Sequence, residues 1–238
     1  MSTVLLTGGA GRLGKEIVRI GIDGHNLLHP TRNELDLSDL KMVSDYFGSH
    51  RPDVVIHCAA NTDLPGSQVD PRSAIVDNVI ATANVTLACA NIGSRLVFTS
   101  TSHVFDGRRG LYEASDPINP LGNYAKTKGA SELTVRSYRN SLTIRVEFFG
   151  REFPYDVAFD DKFASKLYSD EIAPMIIRES MSDKTGVLHL EIPRRSIYDI
   201  AKERNPNVKR ASVSYYSGST PNLIDTSLIG GLYIDRER

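Results

Sequence analysis

The sequence predicts an α/β protein built on a Rossmann-type doubly wound parallel sheet with a small C-terminal substrate lobe. Three observations lead there. Short β-rich runs alternate with helical periodicity from Thr3 to Gly150. One of those runs, DVVIHC at Asp53 to Cys58, reads as a continuous apolar strand, the pattern of a sheet covered on both faces. A glycine-rich turn, TGGAGRLG, follows the first strand and opens the first helix.

The elements follow in order. Thr3 to Thr7 (TVLLT) is a short strand, Gly11 to Ile22 a helix, and His25 to His29 (HNLLH) a second strand. Ser38 to Ser49 reads as a helix opened by a serine cap. After the strand at Asp53, Pro71 to Ile92 fits a long helix, Arg95 to Ser100 (RLVFTS) a fourth strand, Leu121 to Arg139 a helix, and Leu142 to Val146 a fifth strand. Residues 1–150 therefore form the dinucleotide-binding unit. Beyond Gly150 the rhythm changes, with a helix at Asp170 to Met181, a strand at Val187 to Glu191, a basic helix around Arg194 to Arg204 and a Ser/Asn/Pro-rich tail. Residues 151–238 are expected to form a small, intermixed lobe over the C-terminal edge of the sheet.

Composition narrows the function classes. The 238 residues are 40% hydrophobic and 24% charged, an ordinary globular balance. A formal net charge of -1 gives no electrostatic reason to expect nucleic acid or an anionic membrane as partner. Cys58 and Cys89 sit in apolar contexts and read as reduced core residues, which points to the cytoplasm. No apolar run is expected to span a membrane, and Met1-Ser2-Thr3 leads straight into a strand, leaving no room for a signal peptide. His57 and His103 lack partners at metal-ligand spacing, so no metal site is expected.

The glycine turn carries the first chemistry. Gly8, Gly11 and Gly14 allow a tight turn and let the backbone approach a pyrophosphate, while the helix start offers free N–H groups and a positive dipole end. An NAD site normally carries an acid at the end of the second strand. Here that region reads HPTRN, with Arg32 and no acid until Glu34. Arg32, with Arg12 in the loop itself, favours a 2′-phosphate and hence NADP, NAD being the alternative.

Strand four ends in FTSTSHVFDG, where an open α/β sheet presents ligand-facing groups. Ser100, Thr101 and Ser102 lie there, within reach of the helix carrying Tyr124 and, four residues on, Lys128. That spacing puts phenol and ammonium on one helix face, and a nearby ammonium lowers a tyrosine's pKa from about 10. By itself the pair is equally compatible with a surface helix. With the hydroxyls it forms a reductase constellation, in which a hydroxyl polarises a carbonyl and the tyrosine donates a proton.

TGGAGRLG, ELDLSD, RPDVVIHCAANTD, STSHVFDG and YAKTK follow one another in an order that resembles the extended short-chain dehydrogenases/reductases, and among them most of all the dTDP-4-dehydrorhamnose reductases. The resemblance covers about Leu5 to Gly150. It implies Thr101, Tyr124 and Lys128 as a catalytic triad, with Lys128 also binding the nicotinamide ribose. It implies Gly8, Gly11, Arg12, Leu13, Gly14 and Arg32 around the phosphates, Asp36 and Leu37 near the adenine, and Ala59, Ala60 and Thr62 along the cofactor. Ser100, Thr101, Ser102, His103, Tyr124 and Phe148 would meet a nucleotide-linked 4-keto-6-deoxy sugar. A homodimer is compatible with this reading.

Ser102-His103 replace the Asp-Tyr usual in those reductases, and they supply no carboxylate pair of the kind related dehydratases use. The segment after Gly150 is also shorter. A 4-epimerase with retained NAD and a non-catalytic cofactor-binding regulatory subunit are the alternatives; loss of the triad would mark the latter, and all three residues are present. Asn78 reads as a structural hydrogen-bonder beneath the site, and RRSIYDIAKER as a solvated helix face.

Overall fold

A computed structural model describes residues 1–216 and 218–234. Seven strands form the main sheet: β1 (Thr3–Thr7), β2 (Asn26–Leu28), β3 (Val54–His57), β4 (Arg95–Ser100), β5 (Ser141–Arg145), β6 (Gly186–His189) and β7 (Gly231–Tyr233). Their spatial order is β7-β6-β5-β4-β3-β1-β2. All neighbours run parallel except β7, which lies antiparallel on the edge of β6. The chain leaves β1 in one direction and returns past it to β3, so the crevice between the two lies at a topological switch point.

Alternation along each strand explains the two cores. Val4 and Leu6 join a cluster on one face with Leu13 and Ile17 of α1 (Arg12–Ile20), while Leu5 joins the other. That second face is covered by α2 (Leu40–His50), α4 (Arg72–Ile92) and α5 (Asn123–Arg136), through Val43, Phe47, Val85, Cys89 and Val135. The short α3 (Leu64–Val69) precedes α4. Three positions differ from the sequence expectation. The cap of α2 is Asp39, whose carboxylate accepts from Met42 N, because Ser38 is bound to Asp36. Helix α4 carries a π-helical stretch at Ile75–Ile80, and it is long and apolar enough by length and composition to cross a membrane, contrary to the expectation that no run is. Here it lies on the sheet, with 44% of its most apolar window buried.

The third difference concerns the region after Gly150. Helix α6 (Ser169–Ser180) packs on α1 through Ile172 and Ile176, and β6 and β7 extend the main sheet. Only the remainder forms the expected lobe. Its frame is three two-stranded pairings, Glu147–Phe149 with Lys166–Tyr168, Val157–Phe159 with Lys209–Ala211, and Phe163–Ala164 with Arg195–Ser196. Phe149, Phe153, Tyr168 and Ile200 fill its core beside α7 (Ile197–Lys202). Within the described part of the tail Leu223, Asp225, Thr226 and Leu228 are buried, and the last three donate backbone N–H bonds to Gly107, Phe163 and Ser165 respectively.

Candidate active site

The glycine loop is pressed against the end of β3. Gly8 has φ +75°, and a Cβ there would stand 2.6 Å from Ala59 N. A Cβ on Gly14 would stand 2.1 Å from the Gly8 carbonyl oxygen. Only glycine fits either place. Gly11 caps α1 with no side-chain acceptor, so the first N–H groups of the helix stay available to an outside anion. These are the features a pyrophosphate cradle needs.

From the loop a groove of about 320 Å³ runs along the ends of β1, β2 and β3. Gly8, Gly11, Arg32, Asp36, Leu37, Ala59 and Ala60 line it, as expected. Thr7, Thr31, Asn61 and Asp77 line it too, and nothing in their local sequence marked them. Five expected residues are absent from the lining; of these, Gly14 is packed under the Gly8 carbonyl and Lys128 is buried below the end of β4. Leu13 faces the core, because the helix turns its apolar side inward. Arg12 is exposed and runs toward Gly150, away from Arg32. Thr62 is exposed beyond the groove, and its neighbour Asn61 takes the position, held by a 2.7 Å bond from its backbone N–H to Asn78 Oδ1. Arg32 is itself paired, 3.0 Å from Asp77 and 3.7 Å from Asp36.

Thr101, Tyr124 and Lys128 converge where β4 ends and α5 begins. Thr101 is buried and caps a short 3₁₀ turn, its hydroxyl accepting from His103 N at 3.2 Å. Asn78, as expected, braces the helix from below, donating to Thr127 Oγ1 at 2.9 Å and to the Asn61 carbonyl at 3.1 Å. Lys128 does not stand beside the phenol. Its Nζ donates to the Thr99 carbonyl at 2.9 Å and lies 4.0 Å from the centre of the Phe98 ring. Burial pushes Lys128 down to about 7. Burial also pushes Tyr124 up to about 12; the Thr101 hydroxyl opposes that rise and Glu147 adds to it. The expected lowering of the tyrosine by the lysine is therefore reversed, and Tyr124 holds its proton firmly at neutral pH.

The remaining expected substrate contacts divide. His103 lines the depression in front of Tyr124, with Gln68, Asn123 and Leu223. Ser100 points down instead, donating to the buried Glu132 at 2.9 Å. Ser102 is fully buried and donates to Glu147 at 2.7 Å. Phe148 packs against the upper core. Sequence reasoning missed two carboxylates here. Glu132, fully buried, takes a two-pronged contact from Arg145, which also reaches His189. Glu147 gathers Ser102, Lys166 and Thr226, and burial would raise its pKa had Lys166 and His103 not held it well below the usual carboxylate range. His57 is a core residue bonded to Thr7 and Thr82, and burial lowers it to about 3. Among the described residues no group of three or more His, Cys, Asp or Glu side chains could hold a metal ion.

Comparison with known proteins agrees with this geometry. The dTDP-4-keto-6-deoxy-D-glucose reductase of Streptomyces niveus is 34% identical over 220 residues, which cover 83% of this chain and 76% of that protein. The dTDP-4-dehydrorhamnose reductase of Mycobacterium tuberculosis (strain CDC 1551 / Oshkosh) is 33% identical over 138 residues, 56% of this chain and 45% of the relative, so the match spans under half of that protein's length. The fold follows that of the Bacillus anthracis dTDP-4-dehydrorhamnose reductase in complex with NADP, at a TM-score of 0.89 and 22% identity over 97% of this chain and 91% of that one. The family model described as RmlD substrate binding domain matches residues 1–152, well over half of the chain. On that match, and on the likeness to the Streptomyces enzyme, the chain belongs to the RmlD substrate binding domain family.

Proposed function

We propose that this protein is an NADP(H)-dependent reductase of a nucleotide-linked 4-keto-6-deoxy sugar. The observation that carries the reading is the meeting of Thr101, Tyr124 and Lys128 at the C-terminal end of β4, beside a groove that starts at an uncapped, glycine-lined helix. A bound NADPH supplies the hydride. The chain supplies the rest. Tyr124, protonated at neutral pH, gives its proton to the oxygen as charge grows there. Thr101 donates a hydrogen bond to the same oxygen, and Lys128 fixes the floor of the site through Thr99. The names of the relatives support a dTDP-linked sugar as substrate.

The intact triad supports net reduction, since each turnover needs a proton donor beside the substrate oxygen. The test is NADPH oxidation by the purified protein against dTDP-, UDP- and GDP-linked 4-keto-6-deoxy sugars. The expected result is fastest oxidation with a dTDP sugar and one alcohol formed per NADPH consumed. Sugar epimerisation without cofactor consumption would assign the chain to the epimerases instead. Binding of NADPH with no turnover on any sugar would favour a regulatory subunit.

A further inference from the structure

Glu147 stands just past β5 and is saturated by fixed donors: Ser102 Oγ at 2.7 Å, Thr226 Oγ1 at 2.9 Å and Lys166 Nζ at 2.8 Å. Its fourth neighbour is His103, whose Nε2 lies 3.4 Å from Oε1. The imidazole ring meets the Tyr124 ring edge-on, with centroids 6.2 Å apart and planes at 85°. Its side chain keeps 21% of its surface exposed, against 12% for Glu147, and it opens on the depression in front of the tyrosine. His103 and Tyr124 thus line one depression side by side, with Glu147 and, behind it, Lys166 as the charges facing the imidazole. Lys128, the other titratable neighbour on α5, is turned to the Thr99 carbonyl.

A tyrosine that gives its proton to the substrate must be reloaded after each reduction. We propose that His103, anchored by Glu147, is the positioning and relay residue that reprotonates Tyr124 between turnovers. The inference rests on the reductase reading above. The Tyr124 O–H bond breaks as its proton passes to the substrate oxygen. The phenolate then takes a proton that leaves the His103 imidazolium, through the solvent of the depression, and a new O–H bond forms. The neutral imidazole regains a proton from solvent, so each turnover consumes one solvent proton, and the two electrons are those of the hydride.

The test compares first-turnover and steady-state NADPH oxidation for the wild type and His103→Ala, with and without added imidazole. The relay predicts a steady-state loss at least tenfold larger than the first-turnover loss, and recovery of most of it by imidazole. Equal losses in both phases with no recovery would reduce His103 to a substrate contact and overturn the proposal. Absence of any oxidation by the wild type would instead overturn the reductase reading, and the relay with it.

Discussion

Lys128 Nζ lies 2.9 Å from the carbonyl oxygen of Thr99 and donates to it. The ammonium is thereby drawn to the end of β4, two residues before Thr101, while its helix neighbour Tyr124 faces Thr101 and His103. The two members of the YAKTK pair consequently divide their work. One is a loaded acid, the other a buried base.

That division has a stability consequence. Lys128 titrates at about 7 in the folded chain and near 10.5 when unfolded, because burial disfavours its charge. Between those values the unfolded chain binds more protons, so the lysine's cost is full below pH 7 and fades as pH rises toward 10.5. Lys128→Met should therefore stabilise the protein by on the order of 2 kcal/mol at pH 6, about 4 to 8 °C in Tm for a chain of this size. The gain should shrink steadily in melts between pH 7 and 10, while reductase activity is lost. A destabilised variant at pH 6 would mean that the Thr99 bond outweighs the desolvation.

Tyr124→Phe keeps the ring contact with His103 and removes the proton. Turnover should fall by about 10² to 10⁴, the usual worth of general acid catalysis, with NADPH affinity nearly unchanged. Since Tyr124 titrates at about 12, the wild-type rate should show no loss attributable to this group up to pH 10.

Much of this was legible in the sequence, and the rest was hidden for physical reasons. Strands β1 and β4 begin and end as predicted, because β-branched and apolar runs bounded by glycine or serine leave little freedom at either end. Gly8 and Gly14 declare themselves through local spacing, and Thr101, Tyr124 and Lys128 through the family resemblance. Glu132, Arg145, Glu147 and Asp77 do not, since each acts through a partner at least 13 residues away in the chain, as Arg145 does with Glu132 and Glu147 with Ser102. Ser100 and Ser102 sit two apart on opposite sides of Thr101, yet both are claimed by buried carboxylates that the strand's own sequence does not mention.

Of the two arginines, Arg32 lines the groove and Arg12 does not, which makes Arg32 the one to test for cofactor preference. It is already paired with Asp77 and Asp36, so a 2′-phosphate must compete for it. Arg32→Ala should weaken NADPH by roughly ten- to a hundredfold, the worth of one charge-assisted contact of about 1.5 to 3 kcal/mol, and NADH far less. Asp77→Asn, which frees the guanidinium, should move the preference further toward NADPH. Isothermal titration with both cofactors measures this directly, and equal weakening of the two by Arg32→Ala would remove the arginine from the phosphate site.

The Glu132–Arg145 pair tests what lies under the site. Both side chains are fully enclosed, at 2.5 Å between Arg145 Nη2 and Glu132 Oε1, and Arg145 also donates to the Ala114 carbonyl. Removing Arg145 leaves the buried Glu132 to the more distant Arg136, 3.7 Å away, and removing Glu132 strands the Arg145 guanidinium beside His189. Arg145→Met should thus cost about 3 to 5 kcal/mol in denaturant melts. Changing both, as Glu132→Leu with Arg145→Met, should recover much of that loss, because buried ion pairs barely repay their desolvation. The double variant should still reduce substrate more slowly, since Ser100 would lose its acceptor at the end of β4 and the adjacent Thr101 its firm seat. If the double variant were no more stable than Arg145→Met alone, the pair would be holding β5 to α5 by more than charge, and His189 beside Arg145 would be the next residue to replace.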